Sequence, residues 1–115
     1  MTAVLYGIPN CDTVKKARTW LDEHGVAYEF HDFKKAGVND ALLGTWLAQV
    51  PLATLLNRKG TTWRKLSPEQ QAAAADASAA RALMIENPSL IKRPVLVADG
   101  KVSVGFTPDS YASRF

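Results

Sequence analysis

Residues 6–17 read YGIPNCDTVKKA and hold the chain's single cysteine, Cys11. Upstream, Thr2 to Ile8 form a near-continuous apolar run, which reads as a strand buried on both faces. Pro9 and Asn10 break it. Beyond the thiol, Val14, Ala17 and Leu21 recur at helical spacing, and Gly25 stands where a left-handed helix terminus belongs. The following VAYEFHDF, residues 26–33, alternates: Val26, Tyr28 and Phe30 on one face, Ala27, Glu29 and His31 on the other. Period two makes this a strand. Strand, helix and strand within so short a span predict a right-handed unit with parallel strands.

That arrangement puts Cys11 at the carboxyl end of a strand and the amino end of a helix. Open α/β sheets collect their ligands at that edge. Unpaired N–H groups and the positive end of the helix dipole favour thiolate over thiol there, and draw the pKa below about 8.5. Lys15 and Lys16 add positive charge one turn on. The flanking Asn10, Asp12 and Thr13 are turn and cap types rather than core types, which argues against a merely buried thiol.

The rest of the chain supplies the frame. Leu42, Leu43, Trp46, Leu47 and Val50 line one face of a helix starting near Asn39 or Asp40 and stopping before Pro51. A short turn carries Leu52, Leu55 and Leu56. Ser67-Pro68-Glu69-Gln70 has the form of a capping box with proline at the first helical position. The alanine-rich stretch 70–87 splits at Asp76, a second cap. PVLVADGKVSV, residues 94–104, is two short β runs around the hairpin pair Asp99-Gly100, and Thr107-Pro108 opens a last helix. The order is β-α-β, a helical insert at about 38–90, then β-β-α. A single domain of 115 residues is expected, with an α/β fold.

Bulk properties narrow the function. At 47% hydrophobic and 22% charged the composition is that of a soluble globular protein. No apolar run approaches the roughly 18 residues of a membrane span, and the first residues lack the pattern of a secretory signal. One cysteine excludes a disulfide framework and any multi-cysteine metal site; no metal is expected. A reducing cytoplasm is the expected location. The net charge of +3 is unevenly spread: Arg58 to Lys65, RKGTTWRK, carries four cations and no anion, and Lys92-Arg93 adds two more. Such clusters suit a small anion better than nucleic acid, which needs a larger continuous patch. Nothing resembles an obligate interface, so a monomer is expected. His24 reads as a helix-terminal cation, His31 as a polar-face residue, and Trp20, Trp46 and Trp63 as packing residues.

The element order, with a thiol at the first helix terminus, resembles the thioredoxin-like (glutaredoxin-like) fold and its four-stranded mixed sheet. That resemblance implies a cis-proline at the start of the third strand, beside the thiol, and KRPVLV puts Pro94 there. More closely, LYGIPNCDTVKKARTWL (5–21), LLNRKGTTWRKL (55–66) and LIKRPVLV (90–97) resemble the arsenate reductase (ArsC) family, and within it the YffB-like branch related to the Spx regulators. The resemblance covers essentially the whole chain. It implies a nucleophilic role for Cys11 and an anion-binding role for Arg93. Of the three arginines that hold the oxyanion in arsenate reductases of this family, one has its nearest counterpart in Arg58, and the last falls at Phe106 or Thr107, where no arginine stands. Gly7 replaces a histidine that family members carry. Spx-like members commonly carry a CxxC switch; Val14 occupies the resolving position here, so the monomer can form no internal disulfide.

A lone thiolate that exchanges disulfides needs a resolving thiol from outside. Glutathione, small, carboxylate-bearing and abundant in many bacterial cytoplasms, is the expected co-substrate, with no bound cofactor. The expected activity is that of a monothiol, glutathione-dependent thiol reductase acting on a small-molecule or protein disulfide. Arsenate reduction and Spx-like protein binding are the alternatives. Candidate substrate-binding residues are Arg93, Pro94, Arg64, Arg58, Asn10 and Thr13; Trp63 could wall the site.

Overall fold

The computed structural model describes residues 3–115. Thr2, read as the start of the first strand, lies outside the described residues. The chain divides into two compact units, one running to Ala36 and joined by Arg93–Phe115, the other Gly37–Lys92.

The first unit is built on a four-stranded sheet in the order β2-β1-β3-β4, from β1 Ala3–Gly7, β2 Tyr28–Asp32, β3 Val95–Ala98 and β4 Lys101–Val104. β1 runs parallel to β2 and antiparallel to β3, and β3 antiparallel to β4. Helix α1, Asp12–Glu23, links the parallel pair. Its apolar stripe of Val14, Ala17 and Leu21 is fully buried. Ala3, Leu5, Ala17, Leu21, Leu96, Ala98 and Tyr111 make one core cluster. Tyr111 comes from a short closing helix, α8 Pro108–Ala112, opened by the Thr107–Ser110 capping box. The phenol of Tyr111 is buried, which raises its pKa well above the ordinary value. This is the mixed sheet of the thioredoxin-like fold.

Two strand readings are corrected. In β1, Ala3, Leu5 and Gly7 are buried while Val4 and Tyr6 are only half-buried. The run is therefore not buried on both faces; Tyr6 lies beside the rings of His31 and Phe33, at 4.9 and 6.5 Å between centroids. In β2 the alternation stops at Asp32, because the carboxylate of Asp32 accepts hydrogen bonds from the N–H groups of Lys34 and Lys35 at 2.9 and 3.4 Å. That local cap turns the chain into the one-turn helix α2, Phe33–Ala36.

The hairpin between β3 and β4 turns on Asp99 and Gly100, both at positive φ, 54° and 74°, as the mirror-image turn between two twisted strands requires. Arg114 holds it from behind. Its guanidinium donates to Ser103 Oγ at 2.6 Å and to the carbonyls of Ala98 at 3.0 Å and Lys101 at 2.7 Å.

The second unit holds α3 Asp40–Leu47, α4 Leu52–Leu55, α5 Thr61–Lys65, α6 Pro68–Ala73, α7 Ala77–Glu86 and a 3₁₀ turn, Pro88–Leu90. Asn39, Ser67 and Asp76 cap α3, α6 and α7 with their side chains. Trp46, Leu43, Leu55, Met84, Leu90 and Ile91 are fully buried. An antiparallel bridge between Leu56 and Ile91 adds the unit's one β element among the described residues. Arg81 ties α7 to α3 through Asp40, at 2.9 Å. Among the described residues, no helix is long and apolar enough to cross a membrane.

Replacing Arg114 with alanine removes the hairpin's side-chain clamp, with its hydrogen bonds to Ser103 Oγ and to the carbonyls of Ala98 and Lys101. A loss of about 2–3 kcal/mol in chemical denaturation is expected. Lysine at this position restores little of it, because an ammonium cannot span the separate acceptors as the guanidinium fork does.

Candidate active site

Cys11 is the N-cap residue of α1, with an extended backbone at φ −91° and ψ 125°. Its N–H donates to the Ile8 carbonyl at 3.1 Å, closing the Pro9-Asn10 turn, and its own carbonyl accepts from Lys15 N–H at 2.9 Å, starting the helix. The thiol is half-buried. Its side chain closes no tight cap hydrogen bond, so the sulfur meets the first-turn N–H groups as a favourable electrostatic environment.

Burial pushes the Cys11 thiol up, and is the largest single influence. It is outweighed by the Val14 N–H, the Arg93 guanidinium and the Thr13 N–H, which together bring the pKa below its ordinary value. Thr13 and Val14 are the second and third residues of the helix, whose N–H groups normally turn to an N-cap side chain. The sulfur lies near them and its thiolate is favoured by them, without closing a cap hydrogen bond.

The Arg93 guanidinium lies within hydrogen-bonding reach of the thiol, and the Arg93–Pro94 peptide bond is cis. Pro94 is buried, and its carbonyl accepts from Gly105 N–H at 2.8 Å, which fixes the start of β3 against the end of β4. Cys11, Thr13, Arg93 and Pro94 therefore gather at one sheet edge. Asn10 is exposed in the preceding turn. Arg58 and Arg64 belong to the helical unit. There the guanidinium of Arg58 lies 5.6 Å from the ring centroid of Trp63. That of Arg64 donates to the carbonyls of Lys59 and Gly60 at 3.4 and 3.5 Å.

Two contributors escape a reading of residue types. One is Val14, which acts through its backbone. The other is Gly7: a Cβ built there would stand 2.8 Å from Val14 Cγ2. The bare backbone lets α1 sit tightly on β1 just where the helix delivers its N–H groups to the sulfur. The available signal is positional, a glycine at the strand end with an N-cap thiol four residues on.

The model of the ArsC family matches residues 6–113. The chain belongs to the ArsC family. Its relatives include an uncharacterized protein of Haemophilus influenzae, 40% identical over 111 residues and covering 96% of both chains. Among solved ArsC-like structures, a YffB protein is 55% identical, with a TM-score of 0.92 and 96% of each chain covered. An arsenate reductase (ArsC) related protein from Brucella melitensis is 51% identical, with a TM-score of 0.78, covering 98% of this chain and 93% of its own.

A depressed thiol pKa has a definite signature in this ArsC chain. The rate of Cys11 alkylation should level off below the pH at which an ordinary thiol does, and Arg93→Ala should move that inflection upward. The native state should also gain stability over Cys11→Ser as pH rises through the depressed pKa to the unfolded one, and lose that gain as pH falls back through the depressed value. Gly7→Ala should cost about 1–3 kcal/mol in denaturation, since the β-branched Val14 cannot swing aside. The same substitution should raise the alkylation inflection.

Proposed function

We propose that this chain is a monothiol oxidoreductase that uses glutathione as the external resolving thiol. The observation that carries the reading is the Cys11 sulfur facing the Val14 and Thr13 N–H groups and the Arg93 guanidinium, with its pKa lowered. Nucleophilic attack needs the thiolate, and a mildly acidic thiol keeps it available near neutral pH.

In the first step the Cys11 thiolate attacks the glutathionyl sulfur of a mixed disulfide. The old S–S bond breaks and the substrate thiolate leaves, taking a proton from water. Cys11 now carries the glutathionyl group. In the second step the thiolate of free glutathione attacks that glutathionyl sulfur. Oxidised glutathione departs and the Cys11 thiolate is restored. The substrate disulfide is reduced, two glutathione equivalents end as one disulfide, and no second protein cysteine is consumed.

Arg93 serves twice in this scheme. Its positive charge supports the thiolate, and its planar fork suits a carboxylate of the bound tripeptide. The backbone beside cis-Pro94 offers a short strand-like edge along which a peptide can lie. Thr13 lends its N–H to the sulfur, and Asn10 flanks the entrance from the exposed turn. Arsenate reduction is less well supported, because Phe106 and Thr107 stand where the resemblance calls for the last oxyanion-binding arginine.

Intact-mass spectrometry after incubation with oxidised glutathione from pH 5 to 9 tests the reading. One glutathionyl adduct is expected, absent in Cys11→Ser, forming readily below pH 7 and several-fold more slowly in Arg93→Ala. An adduct that forms only above pH 8, indifferent to Arg93, would overturn it.

A further inference from the structure

On the outer side of α1, a groove of about 320 Å³ is lined by Lys15, Lys16, Thr19, Trp20, Glu23, Phe106 and Pro108. It lies wholly within the sheet unit. Lys15 is one helical turn from Cys11, about 6 Å along the axis. Both lysines are exposed, and neither has an ion-pair partner among the described residues. The opposite wall is organic rather than charged: Phe106, set edge-on to Tyr111 with ring centroids 4.7 Å apart, and Pro108.

We infer that this groove is the specificity site for the thiol partner, and that it selects a disulfide carrying carboxylates on a short organic frame. The inference rests on the reading of Cys11 as a disulfide-exchanging thiolate and adds to it the residues that choose among disulfides. A tripeptide bonded through its central cysteine extends roughly 5–7 Å to either side, enough for one arm to bring a carboxylate within reach of the Lys15 and Lys16 side chains. Two ammonium groups that make no ion pair among the described residues attract carboxylates, and the aromatic and proline wall accepts methylene and peptide surface. Glu23, two turns beyond Lys16, ends the cationic stretch with the opposite charge, which repels a carboxylate from sites farther along the helix. Those charges suit a carboxylate-bearing peptide bonded at Cys11. A bare inorganic oxyanion would gain nothing from Phe106 and Pro108.

The test measures how fast Cys11 forms its mixed disulfide with three reagents: oxidised glutathione, which is anionic, hydroxyethyl disulfide, which is neutral, and cystamine, which is cationic. All three are run on the full chain and on Lys15→Gln/Lys16→Gln, at low and high salt. The expected order is glutathione first and cystamine last, with at least a tenfold spread. The double variant should compress the glutathione-to-hydroxyethyl ratio at least fivefold, and added salt should compress it in the full chain, as screening requires. Lys15→Arg/Lys16→Arg, which keeps both charges, should hold the ratio near that of the full chain, so loss of charge is told apart from a folding defect. Equal rates for the three reagents, or a ratio indifferent to both lysines, would overturn the groove's role; the lysine comparison decides, because salt also screens Arg93. A Cys11 that still reacts below pH 7 would then leave the thiolate reading standing. If Cys11 reacts with none of the reagents, both readings fall.

Discussion

The antiparallel pairing of β1 with β3 is the constraint on which the site depends. Its register sets Val4 opposite Val97, Leu5 opposite Leu96 and Tyr6 opposite Val95. Because the strands run in opposite directions, the end of β1 and the beginning of β3 share one edge of the sheet. The first delivers Cys11 and the second delivers Arg93 and Pro94. A nucleophile and its cationic partner that lie more than 80 residues apart in sequence thus become neighbours without any long side chain having to search for the other. The Gly105–Pro94 backbone bond extends the same logic to β4, and the buried core of Leu5, Leu21, Leu96 and Tyr111 fixes the layer beneath.

Much of this was legible because the signals are local. A cap carries its own partner three residues away, so Asn39, Ser67, Asp76 and Thr107 announce their helices without tertiary help. Asp99-Gly100 announces its turn through the positive φ it tolerates. Helices α2 and α5 gave no such sign. The first spans a single turn in which one carboxylate overrides a strand pattern. The second has five residues, is opened by a glycine and buries no side chain, so no apolar period marks it. The cis bond before Pro94 lay beyond periodicity and rested on the resemblance to a fold.

The candidate site divides the same way. Cys11 and the first-turn N–H groups follow from a thiol at a helix start, whereas Arg93 comes from the resemblance to the family, which carries an arginine before its strand-opening proline. The close approach at Gly7 depends on how far α1 settles onto β1, which no spacing rule measures. The groove beside Lys15 exists only because the chain returns at Phe106 and Pro108 to face a helix formed almost 90 residues earlier. Cations in sequence mark charge; only packing shows which of them share a wall with an aromatic ring.

The distribution of tryptophan has a practical consequence. Trp20 belongs to the sheet unit, stacked on His24 with ring centroids 3.9 Å apart and flanked by Tyr111. Trp46 and Trp63 belong to the helical unit, the first fully buried and the second half-buried beneath Arg58. The sheet unit therefore carries one tryptophan and the helical unit two, in different environments. The emission of Trp20 reports on the layer that supports the thiol, and that of Trp46 on the helical core. Cooperativity between the two units becomes an optical question, answerable in a single chain without an added dye.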